Sequence, residues 1–299
     1  MNRFVNTAMI AALTGVTLMG TAGVVHAETI SMAVTDVKGL EELRRDWGDF
    51  RDVLESRSGL EVEFASVSSR TAAAELLKSE RVDFVLTGPA EYVVMRQQTG
   101  AEPVIGFSRP DYFSGVIVMA DSGITSVDDL EGRKIAVDSI GSTSGHLGPL
   151  QALADYGLDP QEDLDIVHVS PKVGFESLKR GDVAAWGTNY ESDYIYLRNN
   201  DDSSELGEFR TIARGPDLPN DVLLAGAHVN NDVIDSFTTT VTEHSDALVD
   251  AIVPDDGMGE NRKYEGMQFL ANIKDSDYDY ARKAYGTIGY PQYNQFVGD

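Results

Sequence analysis

Short apolar runs alternate with segments whose apolar residues recur every three to four positions along most of this chain, and no other feature restricts its fold as tightly. Residues 29–34 alternate as a strand, and Leu40, Leu43, Trp47, Phe50 and Leu54 then fall on one face of a helix. A strand at 60–65, a helix at 71–78, a short apolar strand at 82–86 and a helix at 90–97 follow. A strand that is apolar throughout is covered on both faces, so the pattern predicts a mostly parallel sheet between helices. Strands at 104–107 and 115–120 flank a turn at Arg109-Pro110-Asp111, where the chain is expected to pass into a second unit.

That unit repeats the alternation. Ser126 and Asp129 have capping-box spacing ahead of a strand at 134–137. Helices at 143–154, 175–179 and 191–197 then interleave with strands at 166–169 and 183–186. Strands at 209–213 and 221–227 flank a bend at Gly215-Pro216 and Leu218-Pro219, the expected return crossing, and the remainder reads as mainly helical. The expected architecture is α/β with two lobes, residues 28–114 with 216–299 forming one and residues 115–215 the other. With 299 residues the chain is long enough for two cores. The cleft between such lobes is the natural place for a small ligand.

Residues 1–27 carry Arg3, an apolar run from Ala8 to Val25 and a Val-His-Ala ending, the pattern of a secretory signal peptide. No later segment approaches the roughly 18 to 20 apolar residues needed to span a bilayer. There is no cysteine, so neither a lipid-modified N-terminal cysteine nor a disulfide is expected, and a periplasmic location without a lipid anchor fits best. A net charge of −25 argues against nucleic acid or anionic membrane surfaces as partners. An anion site in such a chain must be local and shielded.

Residues 139–146 supply a candidate for one. Ser142, Thr143 and Ser144 follow a strand and open a helical pattern, where unpaired backbone N–H groups and partial positive charge favour an oxyanion. Gly141 and Gly145 allow the backbone to approach closely. On this segment alone, Ser142 or Thr143 as a simple N-cap is the simpler reading.

Taken together, Gly141-Ser-Thr-Ser-Gly145 with Pro149 downstream, Asp83-Phe-Val-Leu-Thr-Gly88-Pro89, Gly181-Asp-Val-Ala-Ala185 and Leu218-Pro219-Asn220-Asp221 resemble the phosphonate, phosphite and phosphate substrate-binding proteins of ABC importers. The resemblance implies a two-lobed periplasmic binding protein of type II topology, a monomer without cofactor or catalysis, that carries a small oxyanion to an inner-membrane ABC permease. It places Ser142, Thr143, Ser144 and Gly145 on the ligand's oxygens, and Glu191 and Asp221 where aminoalkylphosphonate binders hold an ammonium group. Two family tyrosines fall at Arg70 and Thr87, with Tyr92 one turn further on, and the family's cleft histidine falls near Pro171 or Lys172. Arg70 is expected to pair with the oxyanion through its guanidinium, and Thr87 and Asn189 to donate hydrogen bonds. Acidic and oxyanion-binding groups together suggest a zwitterion such as an aminoalkylphosphonate.

Two alternatives compete: a binder of the same fold for a sulfonate or an amine-containing solute, and a secreted serine hydrolase. The hydrolase is disfavoured because Thr143 stands where a nucleophile elbow carries serine, and His146 is too close in sequence to act as a triad base. The same segment lacks the Gly-Lys-Ser/Thr ending of a nucleotide-binding P-loop. His146, His168, His228 and His244 show no metal-ligand spacing, so no metal is expected.

Overall fold

The structure is a computed structural model that describes residues 28–35, 39–253 and 259–294. Two mixed sheets, each covered by helices, make up the chain. The first contains β1 (Thr29–Val34), β2 (Glu61–Phe64), β3 (Phe84–Thr87), β4 (Glu102–Phe107), β10 (Asp221–Ala225) and β11 (Phe269–Leu270), in the order β11-β4-β10-β3-β1-β2. The second contains β5 (Phe113–Met119), β6 (Arg133–Val137), β7 (Leu164–His168), β8 (Ala185–Asn189) and β9 (Phe209–Asp217), in the order β7-β6-β8-β5-β9.

The two sheets share one plan. In each, the first three strands of the series pair in parallel, in the order second, first, third. Each then receives one antiparallel strand from the crossing, β10 between β3 and β4, and β5 between β8 and β9. The crossings are bonded to one another, with Leu218 N–H donating to Tyr112 O at 2.8 Å and Arg109 N–H to Asn220 Oδ1 at 2.9 Å. Two adjacent connections tied in this way form a hinge between the sheets.

Helix α1 (Leu40–Ser58) buries Leu43, Trp47, Phe50 and Leu54, and Gly59 ends it in the left-handed region that glycine adopts without strain. Trp47 packs edge-on with Phe50, Phe107 and Tyr264 to fill one face of the first sheet. Helices α2 (Arg70–Lys78) and α3 (Pro89–Thr99) cover its other face. In the second unit α4 (Gly148–Asp155) and α5 (Pro171–Arg180) lie on opposite faces of the sheet. The short α6 (Tyr196–Asn199), then α7 (Asn231–Glu243), α8 (Ser245–Ile252) and α9 (Asp279–Thr287) complete the set. Although α9 packs within the first core, it also meets α4, through Lys283 to Asp155 at 2.5 Å and Thr287 Oγ1 to Gln151 Oε1 at 2.6 Å.

Three segments differ from the sequence expectation. Strand β9 runs through Gly215-Pro216, because β5 supplies a bulged partner as far as Asp217. The expected helix from Thr143 starts as a π-helical turn, Thr143–Leu147, and only then becomes α4. The C-terminal segment contains β11, a two-residue strand on the sheet edge.

Candidate functional site

A cleft of about 850 Å³ lies between the two sheets. The first unit lines it with Thr35, Ser68, Ser69, Gly88 and Glu91, and the second with Asp138, Ser139, residues 142–144, His168 and Asn189. Arg109 and Tyr112 at the crossing and Arg262 and Lys263 near the C-terminus complete the wall.

The hydroxyl segment is built by its π turn. Ser142 Oγ accepts from Gly145 N at 3.2 Å, while Leu147 N reaches Ser142 O at 2.9 Å, the longer closure that turns successive side chains toward the cleft. A second π turn, Tyr190–Ile195, is capped in the same way by Asn189, whose Oδ1 accepts from Ser192 N at 2.8 Å. Asn189 Nδ2 donates to Ser144 Oγ at 3.2 Å and ties the two turns together. A Cβ on Gly145 would lie 2.6 Å from Asp138 Cβ, so only glycine fits behind the hydroxyls.

Across the cleft stands the start of α3. Its N-cap is Gly88, which has no side chain, and Pro89 has no N–H, so the first amide to satisfy is that of Ala90. It donates to Thr143 Oγ1 at 3.0 Å. A threonine of one unit therefore caps a helix of the other. The N–H occupies a lone pair of Oγ1 and leaves the hydroxyl proton to donate.

Cations border this point. Arg109 lies over the Tyr112 ring at 3.7 Å and reaches Asp221 at 3.4 Å, and Lys263 reaches the same carboxylate at 3.6 Å. Arg262 donates to Ser192 O at 2.8 Å and lies 4.0 Å over the Tyr196 ring, bridging the two units. Burial pushes the Tyr112 phenol up to about 12. Asp193, on the opposite wall, is raised to about 6, first by burial and then by the neighbouring Asp138.

Several sequence expectations fall elsewhere. Tyr92 does not line the cleft: it is wholly buried in the first core, packed on Tyr278, with its hydroxyl on Asp275 at 2.7 Å. Asp221 is buried beneath the cleft, where it accepts from Tyr264 Oη at 2.8 Å and pairs with Arg109 and Lys263. Glu191 is exposed and lines an adjoining cavity of about 320 Å³ with Tyr196, Asn199 and Glu265, outside the main cleft. Thr87 sits just behind the lining, hydrogen-bonded to Thr35 Oγ1 at 3.2 Å, and Thr35 forms the surface. Arg70 begins α2 beside Ser68 and Ser69, and its side chain lies outside the described residues, as does the 1–27 segment.

A histidine does reach the cleft, but it is His168 rather than a residue at 171 or 172; its Nδ1 lies 2.7 Å from Asp138 O. His146 is buried, its pKa lowered to about 4 by burial and by His168, and its Nδ1 accepts from Gly141 N at 3.2 Å. That nitrogen is thus occupied by a backbone amide rather than a serine hydroxyl. Among the described residues no group of three or more His, Asp or Glu could hold a metal ion. Sequence reasoning missed Arg109, Arg262, Lys263, Glu91 and Asp138 as cleft residues; the only hint was the placing of Arg109 at the expected crossing.

Two mixed α/β units joined by a double crossing, with hydroxyls, a helix N-terminus and cations converging between them, define a two-lobed solute-binding protein. The chain belongs to the family described as "ABC transporter, phosphonate, periplasmic substrate-binding protein", whose model matches residues 32–254. Proteins of this family are binding components of transporters, not enzymes. The phosphate-import protein PhnD of Mycolicibacterium smegmatis is 25% identical over 229 residues, covering 71% of this chain and 70% of the relative. PhnD1 of Prochlorococcus marinus in complex with methylphosphonate has a TM-score of 0.64 at 17% identity, covering 88% of this chain and 99% of its own. The Escherichia coli aliphatic sulphonate binding protein SsuA has the same fold, with a TM-score of 0.59 at 15% identity, covering 91% and 93%.

Proposed function

We propose that this chain binds a small phosphorus oxyanion, a phosphonate, phosphite or phosphate, in the cleft between its lobes and presents it to an ABC permease of the inner membrane. Export by the basic and apolar segment at residues 1–27 belongs to the same proposal. The observation that carries it is the Thr143 Oγ1 to Ala90 N–H contact. It brings the amide end of α3 and a run of three hydroxyls to one point, where oxyanion oxygens can take up amide and hydroxyl protons together. Arg109 and Lys263 supply positive charge beside it, although the chain as a whole is acidic.

The acids expected to hold an ammonium group, Glu191 and Asp221, lie outside the cleft lining, and the carboxylates that do line it are Glu91, Asp138 and Asp193. An amine-bearing phosphonate would thus meet Asp138 and Asp193 on the second lobe. The test is calorimetry and thermal denaturation of the purified chain with phosphate, phosphite, methylphosphonate, 2-aminoethylphosphonate and a sulfonate. A ligand at about 100 times its Kd stabilises the fold by about 2.7 kcal/mol. A melting temperature unmoved by all four phosphorus compounds at millimolar concentration would remove the assignment.

A further inference from the structure

Glu91 is the third residue of α3 and is 5% exposed, yet it is among the residues that line the cleft. A Cβ placed on Gly88 would stand 3.0 Å from Glu91 Oε2, 3.6 Å from Thr143 Oγ1 and 3.8 Å from Asp221 Oδ1. The carboxylate and the hydroxyl proposed to grip the oxyanion therefore converge on one glycine. Arg109 and Lys263 are the cations sharing this part of the cleft, Asp221 is the buried acid beneath it, and Tyr112 is the neighbouring phenol.

An acid in the first turn of a helix ordinarily needs no explanation beyond the helix dipole. Here the same carboxylate faces a site built for anions, where it repels any fully ionised ligand. Repulsion becomes attraction if the ligand keeps one proton and donates it. Phosphate, phosphite and phosphonates have a second ionisation near neutrality and retain a P–O–H at small cost. Sulfonates are fully ionised in water and have no such proton.

We propose that Glu91 is a specificity-determining acceptor that takes the P–O–H proton of a bound phosphorus oxyanion in a hydrogen bond, so that the cleft admits protonated phosphorus oxyanions and rejects sulfonates. This rests on the cleft being the oxyanion site. The atoms balance without chemistry: the proton stays between one ligand oxygen and one carboxylate oxygen. A helix-dipole role alone predicts that Glu91→Gln lowers the melting temperature and leaves ligand ranking untouched.

The experiment is calorimetric titration of the full mature chain and of Glu91→Gln with methylphosphonate and methanesulfonate. The wild type is expected to prefer the phosphonate at least about 100-fold, because an ionised sulfonate meets the carboxylate's charge with no proton to share. Glu91→Gln, whose amide can donate to an ionised oxygen, is expected to narrow that preference at least about tenfold. An unchanged ratio in a variant that still binds phosphonate overturns the inference and leaves the proposed function standing. A wild type that binds neither ligand overturns the inference, and overturns the proposed function as well if phosphate, phosphite and 2-aminoethylphosphonate also leave its melting temperature unmoved.

A measurement on the wild type covers the case of a variant that does not fold. Above the second ionisation of methylphosphonate, titrations in two buffers of different ionisation enthalpy should show uptake of about one proton per ligand bound. No uptake overturns the inference.

Discussion

Replacing Thr143 by alanine removes a hydroxyl that joins the two lobes inside the proposed site, and its consequences separate into two measurable parts. The contact from Ala90 N–H to Thr143 Oγ1 spans 3.0 Å between residues that are 0% and 5% exposed. Its loss leaves a buried backbone donor with no acceptor, since Gly88 cannot cap α3 with a side chain. An unsatisfied buried group costs about 1–3 kcal/mol. At about 2–4 °C per kcal/mol for chains of this size, the melting temperature should fall by about 2–12 °C. Ligand affinity should fall separately, by about 1.5–3 kcal/mol, because the hydroxyl also donates to a charged oxygen. Differential scanning calorimetry reads the first quantity and isothermal titration with methylphosphonate the second. Thr143→Ser keeps the oxygen and should recover most of both. If Thr143→Ala binds methylphosphonate as tightly as the wild type, Thr143 is only a helix cap and the oxyanion site lies elsewhere.

Two further perturbations test the opposite walls of the cleft. Asp193 has its pKa raised to about 6 from an ordinary 3.8, so the protonated form is the one the fold favours. Its contribution is complete below about pH 4 and is lost as pH rises through about 6. Asp193→Asn should therefore match the wild type at low pH and become the more stable of the two across that window, by up to about 3 kcal/mol, read from chemical denaturation at each pH; a constant difference would refute the assignment. Arg262 holds Ser192 O at 2.8 Å and stacks on Tyr196 from the other lobe. Arg262→Ala should widen the cleft, giving a larger radius of gyration in small-angle scattering with little change in helix content, and an unchanged scattering profile would show that the bridge does not hold the lobes.

Much of the layered plan was legible because strands covered on both faces cannot hide their composition. The strand at 84–87 is buried at every residue, as is that at 221–225, and their apolar stretches, Phe84–Leu86 and Val222–Ala225, stand out beside amphipathic helices. The π turn at 143–147 was not legible. Its hydrogen-bond register depends on Gly145 packing against Asp138 and on Gly148, where a Cβ would meet Ser114 Oγ and the backbone of Thr143. Ser114 belongs to β5 and Asp138 follows β6, so these contacts leave no local period. Cations at 109, 262 and 263 escaped for a related reason: they meet only through the return of the chain across the hinge. The acidity of Asp221 is visible in the sequence, but the tyrosine and two cations that pair with it are far from it along the chain and were not legible.

Recognition and closure use the same atoms in this site, and that has a mechanical consequence. The Ala90 amide and the Thr143 hydroxyl are partners across the cleft, and both belong to the set proposed to hold the oxyanion. Holding an oxygen at that point need not break the contact between them, because Thr143 Oγ1 can accept from Ala90 while its proton points to the ligand. The ligand then adds to a bridge that the protein already makes, and Arg262 with Ser192 adds a second bridge at the rim. A ligand can shift the balance of open and closed forms only by its difference in affinity for the two. In the proposed site that difference would come from the hydroxyl turn and the α3 terminus, one on each lobe. If the proposed site is the binding site, substitutions at residues 88–91 and 142–144 should move binding strength and degree of closure together, whereas Tyr196 and the rim should move closure alone.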